Sequence, residues 1–229
     1  MIYVTGDTHR SDLLYLHNFC DNHPELNKND YIIIAGDFGG VWAKETLERD
    51  LKPFSDLPAT ILFVDGNHEN FDLINSYPVE IWNCGKVHKI KPDIIHLMRG
   101  QVFEIENQII FTFGGATSID RDWRVEGKTW WAQELPTFEE LDEGLANLKR
   151  YKNKVDFIIT HSCGQRALMY PQIRIEAGIK IMCPESHLLS NFEDLVEFKH
   201  WFFGHFHIDA QLSDRYTALH HNVVRLNPA

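Results

Sequence analysis

Six short apolar runs recur along the chain, and each ends abruptly in small and polar residues. They span residues 2–7, 31–37, 60–68, 109–115, 155–161 and 201–207. Near-continuous apolar runs of this length are typical of strands that are buried on both faces of a sheet. Helical patterns lie between several of them, at 11–20, at 43–51 and from a capping box at Thr137 to Lys149. The alternation predicts an α/β domain with mixed sheets.

Finer local structure is also expected at four places. The stretch 102–113 predicts a hairpin that turns near Glu106 and Asn107, and the tail 216–226 predicts a second hairpin. A second capping box at 190–193 predicts a helix start before the last apolar run. That run carries His205 and His207, and an extended strand would point both side chains to the same face.

Length and charge limit the classes of function. The chain has 229 residues, 44% of them hydrophobic, which suits a single domain over 1–229 with one continuous core. A net charge of −11 argues against strong nonspecific binding to nucleic acid or to anionic membranes. No signal peptide or membrane span is visible, and the four scattered cysteines form no CxxC pair. We therefore expect a cytoplasmic protein, while its oligomeric state stays open.

The polar residues that follow the apolar runs are potential metal ligands. The set is Asp7, His9, Asp37, Asn67, His68, His161, His205 and His207. In open α/β sheets, ligands bind outside the carboxyl ends of the strands, so we expect these side chains to converge. Carboxylates, imidazoles and an amide oxygen suit Mn²⁺ best here, with Fe²⁺ and Zn²⁺ as alternatives. Seven groups besides His68 are too many for one ion, which suggests two ions with a bridging carboxylate.

Five blocks in this order resemble the metal-binding blocks of the calcineurin-like metallophosphoesterase superfamily. They read GDTH (6–9), GDFGG (36–40), GNHE (66–69), TH (160–161) and GHFH (204–207). The resemblance implies a four-layer α/β/β/α sandwich with two mixed β-sheets. It also implies two divalent metal ions and hydrolysis of phosphate esters by a metal-bridging hydroxide. Monoesters and diesters both remain open, and the substrate would be a small phosphorylated molecule or a nucleotide.

The same resemblance assigns roles to individual residues. Three would bind one ion together: Asp7, His9 and His207. Three others would bind the second ion: Asn67, His161 and His205. Asp37 would bridge the two ions. His68 would face the substrate as the catalytic residue, and would protonate the leaving oxygen or stabilise the phosphoryl group.

Two departures from the family pattern limit what can be carried over. Protein Ser/Thr phosphatases of this superfamily have an aspartate at the end of the second block, where this chain has Gly40. The orienting partner of His68 is therefore open, and protein phosphatase activity is the less favoured alternative. The fourth block here reads Thr160-His161-Ser162-Cys163 and has no following proline. A non-catalytic metal-binding scaffold is a further alternative, although such scaffolds can lose the histidine that this chain keeps as His68.

The segment 114–134 is a candidate for substrate contact. It combines Arg121 and Arg124 with three tryptophans, and arginine recognises phosphate through a planar fork. One interpretation is a lid that contacts a phosphate or a base. The other is a structural loop whose tryptophans anchor it and whose arginines pair with Asp120 and Asp122. Arg10, directly after the first block, is a third candidate for phosphate contact.

Overall fold

We describe a computed structural model of the protein that covers residues 1–10, 13–176 and 183–226. Within those ranges, no helix has both the length and the apolar character needed to cross a lipid bilayer. The start of the helix expected over 11–20 lies outside the described residues.

Seven strands form the first sheet, called sheet A. They are β1 (Ile2–Thr5), β2 (Tyr31–Ala35), β3 (Thr60–Val64), β4 (Val79–Trp82), β5 (Gly85–Lys91), β6 (Ile94–Leu97) and β13 (Val224–Arg225). Their order is β13-β1-β2-β3-β6-β5-β4. The four central strands run parallel, and β13, β5 and β4 pair antiparallel at the two sides. Strands β4 to β6 were not foreseen. In β4 and β5 the apolar residues alternate with charged ones, and β6 is only four residues long, with His96 among its apolar residues.

Six strands form the second sheet, called sheet B. They are β7 (Gln101–Ile105), β8 (Gln108–Phe113), β9 (Phe157–Thr160), β10 (His200–Phe203), β11 (Ala210–Gln211) and β12 (Tyr216–Ala218). Their order is β11-β12-β10-β9-β8-β7, with the outermost pair on each side antiparallel. The predicted hairpin of β7 and β8 is confirmed, and Glu106 and Asn107 at its turn take positive φ values of 49° and 61°.

Helices connect the strands. They are α1 (Leu14–Asp21), α2 (Leu47–Ser55), α3 (Phe71–Ile74), α4 (Phe138–Arg150), α5 (Gln165–Leu168), α6 (Pro171–Glu176) and α7 (Pro184–Leu195), with short 3-10 turns at Arg121–Trp123 and Ala132–Glu134. The capping box of α4 forms as predicted, with Thr137 and Glu140 bonded to each other's backbone. The box expected at 190–193 is wrong, because those residues lie inside α7, which begins at a proline. The helix expected over 43–51 begins later, at Leu47.

Three hydrophobic clusters give the order of the layers. The central cluster joins the facing sides of the two sheets, through Val4, Ile33, Val64, Phe103, Ile159 and Phe202. A second cluster packs the other face of sheet A against α1 and α2, and a third packs the other face of sheet B against α4 and α7. The predicted α/β class with two mixed sheets is confirmed. The clusters lie between layers in the order helices, sheet A, sheet B and helices.

Two predictions near the C-terminus are wrong. The tail does not form a hairpin: β12 pairs with β10 in sheet B, whereas β13 pairs with β1 in sheet A. The last apolar run also does not continue as a strand to residue 207. Strand β10 ends at Phe203, and His205 and His207 take left-handed φ values of 69° and 51°. Only Phe206 between them turns into the core, where it is 7% exposed.

Candidate metal centre

The polar residues of the five blocks meet where the two sheets face each other. Strands β1, β2 and β3 are neighbours in sheet A, and β9 and β10 are neighbours in sheet B. Because these strands run parallel within each sheet, their carboxyl ends lie at the same edge. Hydrogen bonds cross between the sheets there, from the His205 amide to the Asp7 carboxylate at 3.1 Å and from His161 Nδ1 to the Ala35 carbonyl at 2.9 Å.

Asp37 lies at the middle of this group. One carboxylate oxygen, Oδ1, is 3.3 Å from His161 Nε2, and the other, Oδ2, is 3.7 Å from His9 Nε2. Burial opposes ionisation of this carboxyl, but His161, His68 and His9 hold the pKa of Asp37 well below its usual range. The Asp37 carboxylate therefore stays charged between two sets of potential ligands.

His161 is held in a single orientation. Its Nδ1 donates to the Ala35 carbonyl, which leaves Nε2 facing Asn67 Oδ1 at 3.1 Å and the Asp37 carboxylate. Metal-binding histidines are commonly oriented in this way, by a carbonyl that accepts from the other ring nitrogen. Burial alone would lower the pKa of His161, but Asp37 and Asp7 raise it to about 10. Without a metal, this imidazole carries the positive charge that the buried carboxylates need.

The remaining candidate ligands are crowded as well. His9 Nε2 and His207 Nε2 face each other at 3.1 Å, within hydrogen-bonding distance. Burial lowers the pKa of His9 to about 4 and that of His205 to about 3, so both rings are neutral near pH 7. Burial also raises the pKa of Asp7 to about 7. Neutral imidazoles and buried carboxylates at such distances are groups that a cation would satisfy.

The backbone is strained at four of these residues. His9, Asp37, His205 and His207 have φ values of 43°, 48°, 69° and 51°. Residues other than glycine seldom adopt this region, and each such residue costs about 1 to 3 kcal/mol unless its surroundings enforce it. Strain of this kind concentrates at functional sites. Nothing in the sequence marks these positions, because none of them is a glycine.

The glycines of the blocks permit the close approach. At Gly66, a Cβ atom would overlap the Asp37 carboxylate, and at Gly36, which has a φ of 89°, it would overlap the His161 imidazole. A side chain at either position would push a candidate ligand away from the others. The glycine before the polar residue is therefore as much a requirement of the site as the ligand itself.

His68 stands beside this group and contacts Arg124. The Arg124 guanidinium lies 3.2 Å from His68 Nε2 and also pairs with Asp120 at 2.8 Å. Burial lowers the pKa of His68, and the Arg124 charge lowers it further. An open cavity of about 390 Å³ lies in front, lined in part by Asp37, Asn67, His68, Thr117, Arg124 and His207. Arg124 thus contacts the ring of His68, whose orienting partner the sequence left open.

The other two arginines have partners away from the cavity. Arg121 pairs with the fully buried Glu134, with Nε 2.6 Å from Oε1, and its guanidinium lies over the Trp130 ring. Arg10 pairs with Asp50 at 3.1 Å. Neither residue lines the cavity. Their predicted contact with substrate remains a prediction.

The segment 114–134 combines features of both interpretations. Trp131 anchors it, since it is 3% exposed and donates from Nε1 to Asp72 at 2.8 Å. Trp123 is 89% exposed and Ile119 is 77% exposed, and Ile119 lines the cavity together with Arg124. The segment is therefore fixed at its end and forms one side of the cavity near its middle.

Three buried residues near the ligands were missed. Glu69 is fully buried and accepts hydrogen bonds from the Phe38 and Gly39 amides, at 2.7 and 3.3 Å, so it fixes the turn that carries Asp37. Ser118 and Glu134 form hydrogen bonds on the far side of Asn67. Glu69 is the last residue of the block GNHE, which was a usable signal. Ser118 and Glu134 have no comparable signal in the sequence.

The residues present fit two cations that share one ligand. Two groups of potential ligand atoms each lie within 4.8 Å of one another: His9, Asp37 and His207 form one, and Asp7, Asp37 and His161 form the other. Asp37 belongs to both groups. The donors are carboxylate oxygens and imidazole nitrogens, the set that divalent first-row ions accept. The division of the ligands between the ions remains a prediction.

Comparison with known proteins gives the family. The family model described as calcineurin-like phosphoesterase matches residues 1–209. None of the curated proteins compared with the chain matches it. Since the matched region includes all five blocks and every strand except β11, β12 and β13, the chain belongs to the calcineurin-like phosphoesterase family, whose members are hydrolases that act on phosphate esters and depend on two metal ions.

Proposed function

We propose that this protein hydrolyses phosphate esters of small molecules or nucleotides at a dinuclear centre bridged by Asp37. The observation that carries the proposal is the position of Asp37, whose two carboxylate oxygens face His161 on one side and His9 on the other. A carboxylate in this position can serve two cations at once. In the proposed assignment His9, Asp7 and His207 hold one ion, and Asn67, His161 and His205 hold the other.

Two divalent cations, when bound, would lower the pKa of a water molecule and neutralise charge on phosphoryl oxygens. The protein's own contribution is to hold the ligands rigidly and to keep the Asp37 carboxylate ionised. His68 lines the cavity beside them and is not needed as a ligand. We assign it the role of meeting the phosphoryl group or the leaving oxygen, within the reach that proton transfer requires.

We assign Arg124 the role of binding the phosphate group of the substrate. It lines the cavity, it contacts the His68 ring, and its side chain is 16% exposed, so a phosphate oxygen bound in the cavity could reach it. The exposed Ile119 and Trp123 nearby offer apolar surface for the organic part of the ester. These features support a small phosphorylated substrate or a nucleotide.

Mn²⁺ is the proposed ion, with Fe²⁺ and Zn²⁺ as alternatives, because the candidate ligands include no thiolate. The proposed location is the cytoplasm, where free thiols persist. All four cysteines are free, and three of them are buried.

One comparison of rates tests the proposal. The metal-free protein is supplied in turn with Mn²⁺, Fe²⁺, Zn²⁺ and Mg²⁺ and given a chromogenic phosphate monoester, a diester and a cyclic nucleotide. We expect turnover of at least one ester class with Mn²⁺, and none in the Asp37→Ala protein under the same conditions. Equal hydrolysis by wild type and Asp37→Ala would refute the proposal, and hydrolysis of one ester class alone would decide between monoesterase and diesterase.

A further inference from the structure

Behind the candidate ligand Asn67 lies a chain of buried hydrogen bonds. Asn67 Nδ2 donates to Ser118 Oγ at 3.1 Å, and Ser118 Oγ donates to Glu134 Oε2 at 2.7 Å. The three residues are 5%, 4% and 0% exposed. Asn67 Oδ1, on the other side of the same amide, lies 3.1 Å from His161 Nε2 and so points into the metal centre.

The chemistry of Glu134 fixes which atom donates and which accepts in each of these hydrogen bonds. Its Oε1 accepts from Arg121 Nε at 2.6 Å and from the Ser118 amide at 3.0 Å, as expected of an ionised carboxylate. A carboxylate can only accept hydrogen bonds, so the one hydroxyl hydrogen of Ser118 must point to it. The Ser118 oxygen can then only accept from Asn67, which requires the amide nitrogen, and not the amide oxygen, to face Ser118.

We infer that Ser118 and Glu134 are positioning residues that force Asn67 to present its Oδ1 to a metal ion. An asparagine side chain has similar shapes in its two flipped orientations, but only the oxygen is a ligand. Rotation of the amide would place Nδ2 toward the cation and Oδ1 against the lone pairs of Ser118. This inference rests on the proposed role of Asn67 as a ligand.

The inference also gives the segment 114–134 a second task. Two of the three hydrogen-bonded residues, Ser118 and Glu134, lie in this segment, and Arg121 within it neutralises the buried Glu134 carboxylate. Trp131 holds the segment to the body through Asp72. The same stretch that forms one side of the cavity thus sets the orientation of a ligand.

An isosteric substitution at Glu134 can reverse the donor and acceptor roles in this series of hydrogen bonds. In the Glu134→Gln protein, the carboxamide oxygen can keep the two donors at the Oε1 position, which places its amino group against Ser118. Ser118 then accepts from residue 134 and turns its hydrogen toward Asn67, which favours the flipped amide. We expect Mn²⁺ binding at one of two sites to weaken by about 10- to 100-fold, the range found when groups behind metal ligands are removed.

Removing the Ser118 hydroxyl should relieve the loss of Mn²⁺ binding that Glu134→Gln causes. Ser118→Ala alone leaves the amide free to turn, so we expect a loss of roughly tenfold or less at the same site. The double variant with Glu134→Gln and Ser118→Ala should bind as well as Ser118→Ala alone, and Ser118→Thr, which keeps a hydroxyl, should bind like wild type. Ser190→Ala is the matched control, since its hydroxyl bonds only within the region around α7.

The measurement is calorimetric titration of the metal-free proteins with Mn²⁺, with thermal unfolding to verify the fold. Losses that simply add in the double variant would mean a structural role and overturn the inference, as would wild-type affinity in Glu134→Gln. Asn67→Ala separates the two proposals. If it loses one ion while Glu134→Gln and Ser118→Ala lose nothing, only the positioning inference fails. If it keeps both ions, the ligand assignment fails and the inference falls with it.

Discussion

The backbone amide of His68 donates a hydrogen bond to the Asp37 carboxylate, with 2.7 Å between N and Oδ1. The residue proposed to bridge the metals therefore also fixes the turn that carries the residue proposed to meet the phosphoryl group. Binding of metal and placement of His68 are coupled through one side chain. Substitutions at Asp37 and His68 should consequently differ in their effect on metal content.

Replacing Asp37 should remove the metals and the activity together. In Asp37→Ala, both groups of ligand atoms lose their shared member, and the His68 amide loses its acceptor. We expect bound Mn²⁺ to fall from two ions to at most one, with a rate loss of roughly a thousandfold or more. Metal analysis after gel filtration and a rate assay check this. Asp194→Ala, on the surface and paired with Arg166, is the control.

Replacing His68 should leave the metals in place. His68→Ala keeps the backbone amide that bonds Asp37 and removes only the imidazole. We expect two bound Mn²⁺ ions and a fall in kcat of about 10²- to 10⁴-fold, as for the loss of a proton donor or acceptor. Metal content and steady-state rates are measured on the same sample. A kcat near wild type would exclude His68 from catalysis, and loss of an ion would mean that it acts as a ligand.

Arg124 should matter for binding more than for metal loading. Its guanidinium contacts His68 and lines the cavity, and hydrogen bonds to charged groups contribute about 1.5 to 3 kcal/mol. We expect Arg124→Ala to raise KM by roughly 10- to 100-fold. Arg124→Lys should recover only part of the loss, because lysine lacks the planar fork. The surface variant Arg166→Ala serves as the control, and an unchanged KM in Arg124→Ala would contradict substrate contact.

The candidate ligands that follow buried strands could be predicted from the sequence, but the side chains that contact them could not. Asp7, Asp37 and His161 stand out because each interrupts an apolar run at a point where parallel strands must end together. The partner of His68 was not predictable, since Arg124 reaches it only through the path of a long loop. Long loops take their shape from tertiary contacts such as Trp131 with Asp72, which have no periodic pattern in the sequence.

The end of the last strand shows a second limit. The continuous run 201–207 predicts extended backbone, yet His205 and His207 are left-handed. Local propensity favours the strand. The His205 amide donates instead to the carboxylate of Asp7, 198 positions away in the sequence. This distant contact turns the backbone away from the extended conformation. Strain that distant contacts impose on non-glycine residues cannot be read from a short window.

His205 and His207 should lose different ions. His207 faces His9 at 3.1 Å, whereas the His205 ring packs edge to face on the His161 ring at 5.0 Å. We therefore expect His207→Ala and His205→Ala each to weaken a different one of two Mn²⁺ binding steps. Titration of the two single variants and of the double variant checks this. If both single variants lose the same step and keep the other, the proposed division of ligands is wrong.

Metal binding should release protons. In the metal-free protein, Asp37 and Asp7 raise the pKa of His161 to about 10, so its ring is protonated at pH 7. A cation can bind Nε2 of His161 only after that proton has left. The pKa of Asp7 is raised to about 7, so this carboxyl is partly protonated at pH 7 and releases a fraction of a second proton when a cation binds. Because fewer protons have to leave at higher pH, the apparent affinity for Mn²⁺ should rise with pH between 6 and 9, by roughly tenfold per unit for each proton released.

Calorimetry in two buffers that differ in ionisation enthalpy measures this release. At pH 7 the difference in observed binding enthalpy should correspond to at least one proton per protein, and at pH 8 the part from Asp7 should have largely disappeared. Binding enthalpies that do not depend on the buffer would mean that His161 is neutral before the metal arrives, and its proposed charge-balancing role in the metal-free protein would be wrong.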